Sequence, residues 1–227
     1  MIRATNNSQI HTRVLRLYTD KPFQGYGSDL RRAITSQFKD NPVLHNHNGI
    51  GFDYQSPRVR YIVIEHLPRL LSFENGLDIV EQIYKEKPCL KVGYTVYTVT
   101  GTELEDRIED IGIFGRVTYK YSSITPWLAL NEKNYTTFMK MSSLQKRKAF
   151  LSKILVGNFL SLSKNLSLEI QDRVNVTLHN FTEFDLKAGP ILMLGFKVNF
   201  ETNYKLPHFI GVGKLVSKGF GVMKMVL

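Results

Sequence analysis

The chain of 227 residues has almost no cysteine: Cys89 stands alone. One thiol excludes an intrachain disulfide and any multi-cysteine zinc site. It also fits a reducing compartment. Cys89 heads an apolar, strand-like run, so the expectation is a buried, inert side chain. Long apolar runs are missing too. None approaches the ~20 residues of a membrane-spanning helix, and no stretch of signal-peptide type opens the sequence. The expected location is cytoplasmic, with no membrane partner. The glycines near the C-terminus lack the spacing and the Lys-Ser/Thr ending of a P-loop. They also leave no room for the βαβ unit of a dinucleotide-binding turn.

Acidic residues are outnumbered. Lys and Arg total 30 against 20 Asp and Glu, a formal net charge of +10, and the pI is about 9.6. Such a balance points to a polyanionic partner, either nucleic acid or an anionic surface. Apolar residues make up 43% of the chain, enough for a core, so global disorder is excluded. The length fits one large domain or two small ones.

Residues 10–18 read as a strand, with Leu15 and Leu17 on one side. Pro22 and Gly25 break it. Ser28 can cap a helix running to about Phe38, with Leu30, Ala33, Ile34 and Phe38 on its apolar face. Arg31, Arg32 and Lys39 lie off that face, either as a solvated surface or as a phosphate-facing edge. After Asn41-Pro42 comes a loop with His45, His47, Gly49, Gly51, Asp53 and Tyr54. Residues 59–64 form an apolar strand bearing Arg60, and residues 70–73 a second one after Pro68. A helix starts at Asn75-Gly76 and runs to about Lys85; residues 90–99 are a strand. The order is β-α-β-β-α-β, the ferredoxin-like unit. The acidic run 103–110 reads as a domain junction.

The order partly repeats. A strand at 115–121 precedes a helical region after Pro126. Ser142-Ser143-Leu144-Gln145 has the capping-box form and opens a helix to about Leu162. Residues 174–179 alternate as a half-buried strand, and Ala188-Gly189-Pro190 marks a hairpin turn into residues 191–200. A glycine-rich loop then stands where a second helix is expected, and a last strand follows. The expected architecture is α+β, two tandem ferredoxin-like domains at 1–107 and 108–227.

That loop is Gly211-Val212-Gly213-Lys214-Leu215-Val216-Ser217-Lys218-Gly219-Phe220-Gly221. Glycine admits positive φ and close approach of a ligand. Amides in such a turn can form a nest for phosphate oxygens, with Lys214 and Lys218 adding charge. The competing reading is a hairpin that closes the last strand.

His45 and His47 are two apart and point the same way in an extended segment. They admit three readings. A metal pair wants about one more ligand, for which Asp53 is nearest. General acid–base catalysis suits imidazole near neutral pH, and RNA cleavage needs only that chemistry. Tyr54 could then share in proton transfer, and Arg31, Arg32, Arg58 or Arg60 could neutralise the phosphate. The third reading is a pair of surface loop residues.

Taken together, the chain resembles the Cas6 family of CRISPR repeat-cleaving endoribonucleases. Gly211-Val212-Gly213 and Gly219-Phe220-Gly221 resemble that family's glycine-rich loop, and the doubled element order its tandem domains. Leu30-Arg31, Phe38, Leu44-His45-Asn46-His47, Tyr54, Pro57, Tyr61 and Asn75-Gly76 are most similar to the Cas6b subgroup. The resemblance implies a catalytic histidine after the first helix, with His47 preferred, His45 assisting and Tyr54 beside them. It implies RNA contacts from Lys214, Lys218 and the loop glycines Gly211, Gly213, Gly219 and Gly221. It implies no metal or other cofactor. Some members use a lysine near the histidine; Lys39 is nearest here, and that cationic role is unassigned. The expected partner is CRISPR repeat RNA, with other CRISPR-associated proteins, and the chain itself as monomer or homodimer. Two alternatives remain: a non-catalytic RNA-binding subunit of a ribonucleoprotein, and a general nucleic-acid-binding protein.

Overall fold

Apolar side chains at Val14, Leu15 and Leu17 make Ser8–Thr19 a strand buried on both faces, β1. The computed structural model describes residues 8–39, 41–45, 58–188 and 191–226, and only the backbone of residues 42, 45, 188 and 191. The chain forms two compact units. The first comprises Gln9–Glu109 together with Val216–Gly219, and the second holds Asp110–Leu215 and Phe220–Leu227.

In the first unit β1 leads to α1 (Gly27–Thr35), α2 (Pro42–His45), β2 (Val59–Ile64), β3 (Leu67–Phe73), a 3-10 turn at Glu74–Gly76 and α3 (Leu77–Glu86). A small hairpin, β4 (Leu90–Val92) and β5 (Thr95–Tyr97), precedes the long strand β6 (Val99–Ile113). Strand order is β6-β1-β3-β2. Leu15, Leu17, Tyr61 and Leu70 of the sheet pack against Leu30 and Ile34 of α1 and Val80 and Ile83 of α3.

Several local expectations change here. The start of α1 is set by Asp29, whose carboxylate accepts the Tyr26 amide at 2.9 Å, rather than by Ser28. Strand β3 runs through Pro68 because its register with β1 begins only at Arg69, so the missing N–H is not required on that side. Residues 90–99 are not one strand. Gly93, with φ +59, turns the chain back and makes the β4–β5 hairpin. Cys89 is exposed, not buried: it alternates with the buried Leu90.

The acidic run 103–110, read as a domain junction, lies within strand β6, and the boundary between the two units falls between Glu109 and Asp110. Its carboxylates pair with β1: Arg16 with Glu103 at 2.9 Å and Glu105 at 2.8 Å, Arg13 with Asp106 at 2.8 Å, and His11 with Asp106 at 2.9 Å. Cross-strand partners of opposite sign hold this polar sequence in a sheet. Arg13, by its hydrogen bond, keeps Asp106 below the usual carboxylate range, against a smaller opposing effect of burial.

The second unit contains β7 (Tyr119–Ser123), α4 (Glu132–Met139), α5 (Leu144–Asn165), β8 (Val176–Ala188), β9 (Ile191–Thr202), β10 (Tyr204–Lys205) and β11 (Met223–Val226). Its sheet order, β11-β7-β9-β8, repeats the pattern of the first unit once the β4–β5 hairpin and β10 are set aside: fourth, first, third, second. Strand β7 begins later than expected because Gly115, with φ +61, turns the chain. The helical region after Pro126 is α4, opened by Asn131, whose side chain accepts the Asn134 amide at 2.7 Å. Ser143, not Ser142, is the N-cap of α5, so Gln145 stands one position short of a capping box. The expected turn at Gly189-Pro190 lies outside the described residues, though Ala188 pairs with Ile191 on either side of it. Trp127, Phe138, Phe159, Phe196 and Phe200 are fully buried and form the aromatic core.

Candidate nucleic-acid interface

The glycine-rich loop is shared between the units. Gly211 to Leu215 and Phe220-Gly221 belong to the second, and Val216–Gly219 to the first. Within the first unit, Val216–Lys218 is a 3-10 turn that packs against α1 and β2. Two glycines make this contact possible. A Cβ on Gly27 would stand 2.2 Å from the Tyr61 carbonyl and 2.3 Å from the Lys218 carbonyl. One on Gly219, where φ is +82, would stand 2.5 Å from the same Tyr61 carbonyl. Backbone therefore meets backbone at the first turn of α1.

In the second unit the other loop glycines do the same. Gly213 has φ +93 and lies against the Trp127 indole and the Leu128 carbonyl. Gly221, with φ +68, would bring a Cβ to 2.0 Å from the Val212 carbonyl. Gly211 bridges to Val222 beside the last strand. The amides of Val212, Lys214, Gly219 and Gly221 all donate to protein carbonyls, those of Gly221, Leu128, Val216 and Pro126 respectively. Those four amides are thus not aimed at a phosphate. The positive charge of Lys214 and Lys218 remains: both side chains are half-buried, and neither has a carboxylate partner among the described residues.

The arginines separate. Arg31 lies one helical turn after Gly27, on the same side of α1. It is half-buried, has no carboxylate partner among the described residues, and its charge acts on the Tyr61 hydroxyl. That hydroxyl is buried and has no hydrogen-bond partner among the described residues, and burial raises its pKa, so the phenol stays protonated. Arg32 is exposed and faces Asp29 at 3.5 Å. Arg60 leaves β2 on the opposite side from Tyr61, and Arg58, just before the strand, alternates with Val59 in the same sense. Arg58 pairs with Glu74 at 2.7 Å. Arg60 is 1% exposed and lies over the Phe73 ring at 5.2 Å. Burial, followed by the like charge of Arg58, brings its guanidinium down to about 9. Arg31 and Lys218 are therefore placed around one contact, and Arg58 and Arg60 on the other face of the sheet.

His47 and Tyr54 lie outside the described residues, as does the side chain of His45, whose backbone ends α2. The flanks of this segment are defined. Leu44 of α2 is buried in the core with Leu30 and Ile34. α2 and Arg58 both adjoin the 3-10 turn at Glu74–Gly76, where Gly76 would bring a Cβ to 2.6 Å from the Arg58 carbonyl. Among the described residues no group of three or more His, Cys, Asp or Glu side chains could hold a metal ion, and no helix is long and apolar enough to cross a membrane. Sequence reasoning overlooked Gly27 as the seat of the basic turn. Its only signal is a second glycine, after Gly25, at the start of a helix.

Comparison with known proteins matches both halves of the chain. A model of the Cas6b N-terminal domain covers residues 8–110 and one of the Cas6b C-terminal domain covers residues 114–226. The protein MJ0978 of Methanocaldococcus jannaschii is 36% identical over 126 residues, 56% of this chain and 84% of that protein. A crystal structure of Cas6b matches with a TM-score of 0.86 at 28% identity, covering 96% of this chain and 100% of that one. A second, described as the CRISPR RNA processing endoribonuclease Cas6b, matches with a TM-score of 0.75 at 24% identity and the same coverage. With both domain models spanning all but the chain's ends and a short stretch between them, the chain belongs to the Cas6 family, in its Cas6b group.

Proposed function

We propose that this chain is a metal-independent endoribonuclease that cuts CRISPR precursor RNA within its repeats. The observation that carries this reading is the match of both Cas6b domain models, which together include α1, the His45–His47 segment and the whole glycine-rich loop. A histidine takes the proton of a ribose 2′-hydroxyl. The oxygen attacks the adjacent phosphorus, the P–O2′ bond forms and the P–O5′ bond breaks. The departing 5′-oxygen receives a proton. The products are a 2′,3′-cyclic phosphate and a 5′-hydroxyl. We assign His47 as the principal acid–base residue, His45 as its assistant and Tyr54 to orientation or proton sharing. Lys214, Lys218, Arg31 and Arg32 supply charge to the RNA backbone. Arg58 and Arg60 act at the root of the catalytic segment, and the loop glycines by letting the basic turn pack. In this reading residues 1–107 carry the histidines, residues 108–227 carry the loop, and the protein works in the cytoplasm on repeat RNA, with other CRISPR-associated proteins as partners.

The test is incubation of the full chain with end-labelled repeat RNA in EDTA. Cleavage to cyclic-phosphate ends is expected, and its loss when His45 and His47 are both changed to Ala. Dependence on a divalent metal ion defeats the mechanism; undiminished cleavage by the double variant defeats the site. Tight, salt-sensitive binding with all RNA recovered intact selects a binding subunit instead.

A further inference from the structure

A second feature lies wholly within the second unit. A cleft of about 500 Å³ opens where β7, β8 and β9 come together, with Tyr119 and Val176 both opposite Thr202. It is an open cleft and not an enclosed pocket: Arg116, Asp172, Arg173 and Asn175 on its walls are all exposed. Arg116, Arg173, Asp172, Glu201, Asn175 and Asn203 line it. Asn203 fixes one wall: its side-chain oxygen accepts the Asn175 amide at 2.8 Å, and its nitrogen donates to the Arg173 carbonyl at 3.0 Å. Arg116 is delivered by the turn at Gly115.

The arginines of this cleft differ from several others in the chain. Arg13, Arg16, Arg58, Arg107 and Arg147 all pair with carboxylates. Arg116 and Arg173 have no carboxylate partner among the described residues, although Asp172 and Glu201 line the same cleft. Glu201 faces His179 at 3.2 Å instead. A guanidinium presents a planar fork that matches phosphate oxygens. Two carboxylates do not belong in a site for a bare anion, which they repel. They accept hydrogen bonds from base amines and ribose hydroxyls. Among the described residues no aromatic ring lines the cleft, so specificity there comes from edges and not from stacking.

We propose that this cleft receives one unpaired ribonucleotide of a bound RNA, with its phosphate on Arg116 and Arg173 and its base or ribose donors on Asp172 and Glu201. The RNA as natural ligand rests on the function proposed above; the nucleotide chemistry of the cleft does not.

The experiment titrates the isotopically labelled full chain with each ribonucleoside 5′-monophosphate, and separately with inorganic phosphate, followed by amide NMR. Shifts centred on Gly115, Thr118, Asn175 and Asn203 are expected, with one base giving the strongest response. They should vanish in Arg116→Ala/Arg173→Ala, and in Asp172→Asn the preference among bases should weaken while the shifts persist. Affinity for repeat RNA should fall about tenfold or more in the double arginine variant. Silence at those four amides overturns the proposal. An equal response to inorganic phosphate overturns it too, leaving a plain anion site. A chain that cuts no RNA yet shows the shifts defeats the proposed function and keeps the cleft. One that cuts RNA without them does the reverse.

Discussion

Replacing Gly219 with alanine isolates what the loop glycines contribute. The residue has φ +82, and the new Cβ would stand 2.5 Å from the Tyr61 carbonyl. A left-handed backbone costs a non-glycine residue roughly 1–2 kcal/mol. Restoring an ordinary contact requires β2 or the basic turn to move by about 1 Å, and overpacking of that kind costs roughly 1–3 kcal/mol. The sum is about 2–5 kcal/mol, concentrated where Val216–Gly219 meets α1 and β2. Gly219→Asn separates the two contributions. Asparagine tolerates positive φ but keeps the Cβ, so it should recover about 1 kcal/mol at most. Hydrogen exchange reads the effect directly, because the Gly219 amide donates to the Val216 carbonyl at 3.1 Å. At tenfold per 1.4 kcal/mol, exchange there should accelerate roughly 30-fold to a few thousand-fold. If exchange at Gly219 and the denaturant midpoint both stay as in the parent, the packing argument is wrong and the glycine is there for a ligand.

Arg31→Ala and Lys218→Ala should each weaken RNA binding and reduce the slope of log K against log salt by about 0.7–0.9, with little change in stability; an unaltered slope removes them from the interface. Arg60→Ala should do the opposite, lowering the denaturation midpoint because its guanidinium is 1% exposed; a stable variant with impaired binding contradicts this. Acid should loosen the first unit. Asp106, held low by Arg13, contributes stability that is present above the ordinary aspartate value near 3.9 and is lost as pH falls through its own lower pKa. Thermal melts in acid should therefore lose this increment in the parent, while Asp106→Asn shows a lower melting temperature at neutral pH and a flatter acid limb. Trp127→Ala should cost about 3–5 kcal/mol in the second unit, since the indole is fully buried and donates to Asn158 at 3.0 Å; a urea titration followed by far-ultraviolet circular dichroism checks it.

The element order was legible because apolar periodicity and proline breaks are local signals. Residues 59–64, read as a strand, are β2 to the residue. What escaped depends on partners distant in the chain. The acidic run 103–110 carries no strand signature until Arg13 and Arg16 stand opposite it. Arg58, Arg60 and Arg31 look alike in sequence, and only strand alternation and a view of Glu74 and Phe73 separate them. The loop glycines stood out as glycines. That the amides of Gly221 and Lys214 already have carbonyl partners depends on Pro126 and Leu128, some ninety residues away in sequence. The Arg116–Arg173 cleft was invisible for the same reason, its walls coming from segments far apart along the chain.

The seating of Val216–Gly219 against α1 bears on how the protein can be dissected. A fragment that stops at Glu109 looks complete by its strands and helices, yet it leaves the Tyr61 carbonyl and the first turn of α1 bare. Expressed alone it would present raw backbone where a tail four residues long should lie. Grafting that tail back through a short tether, or supplying it as a peptide, is the minimum repair before the front half is studied in isolation.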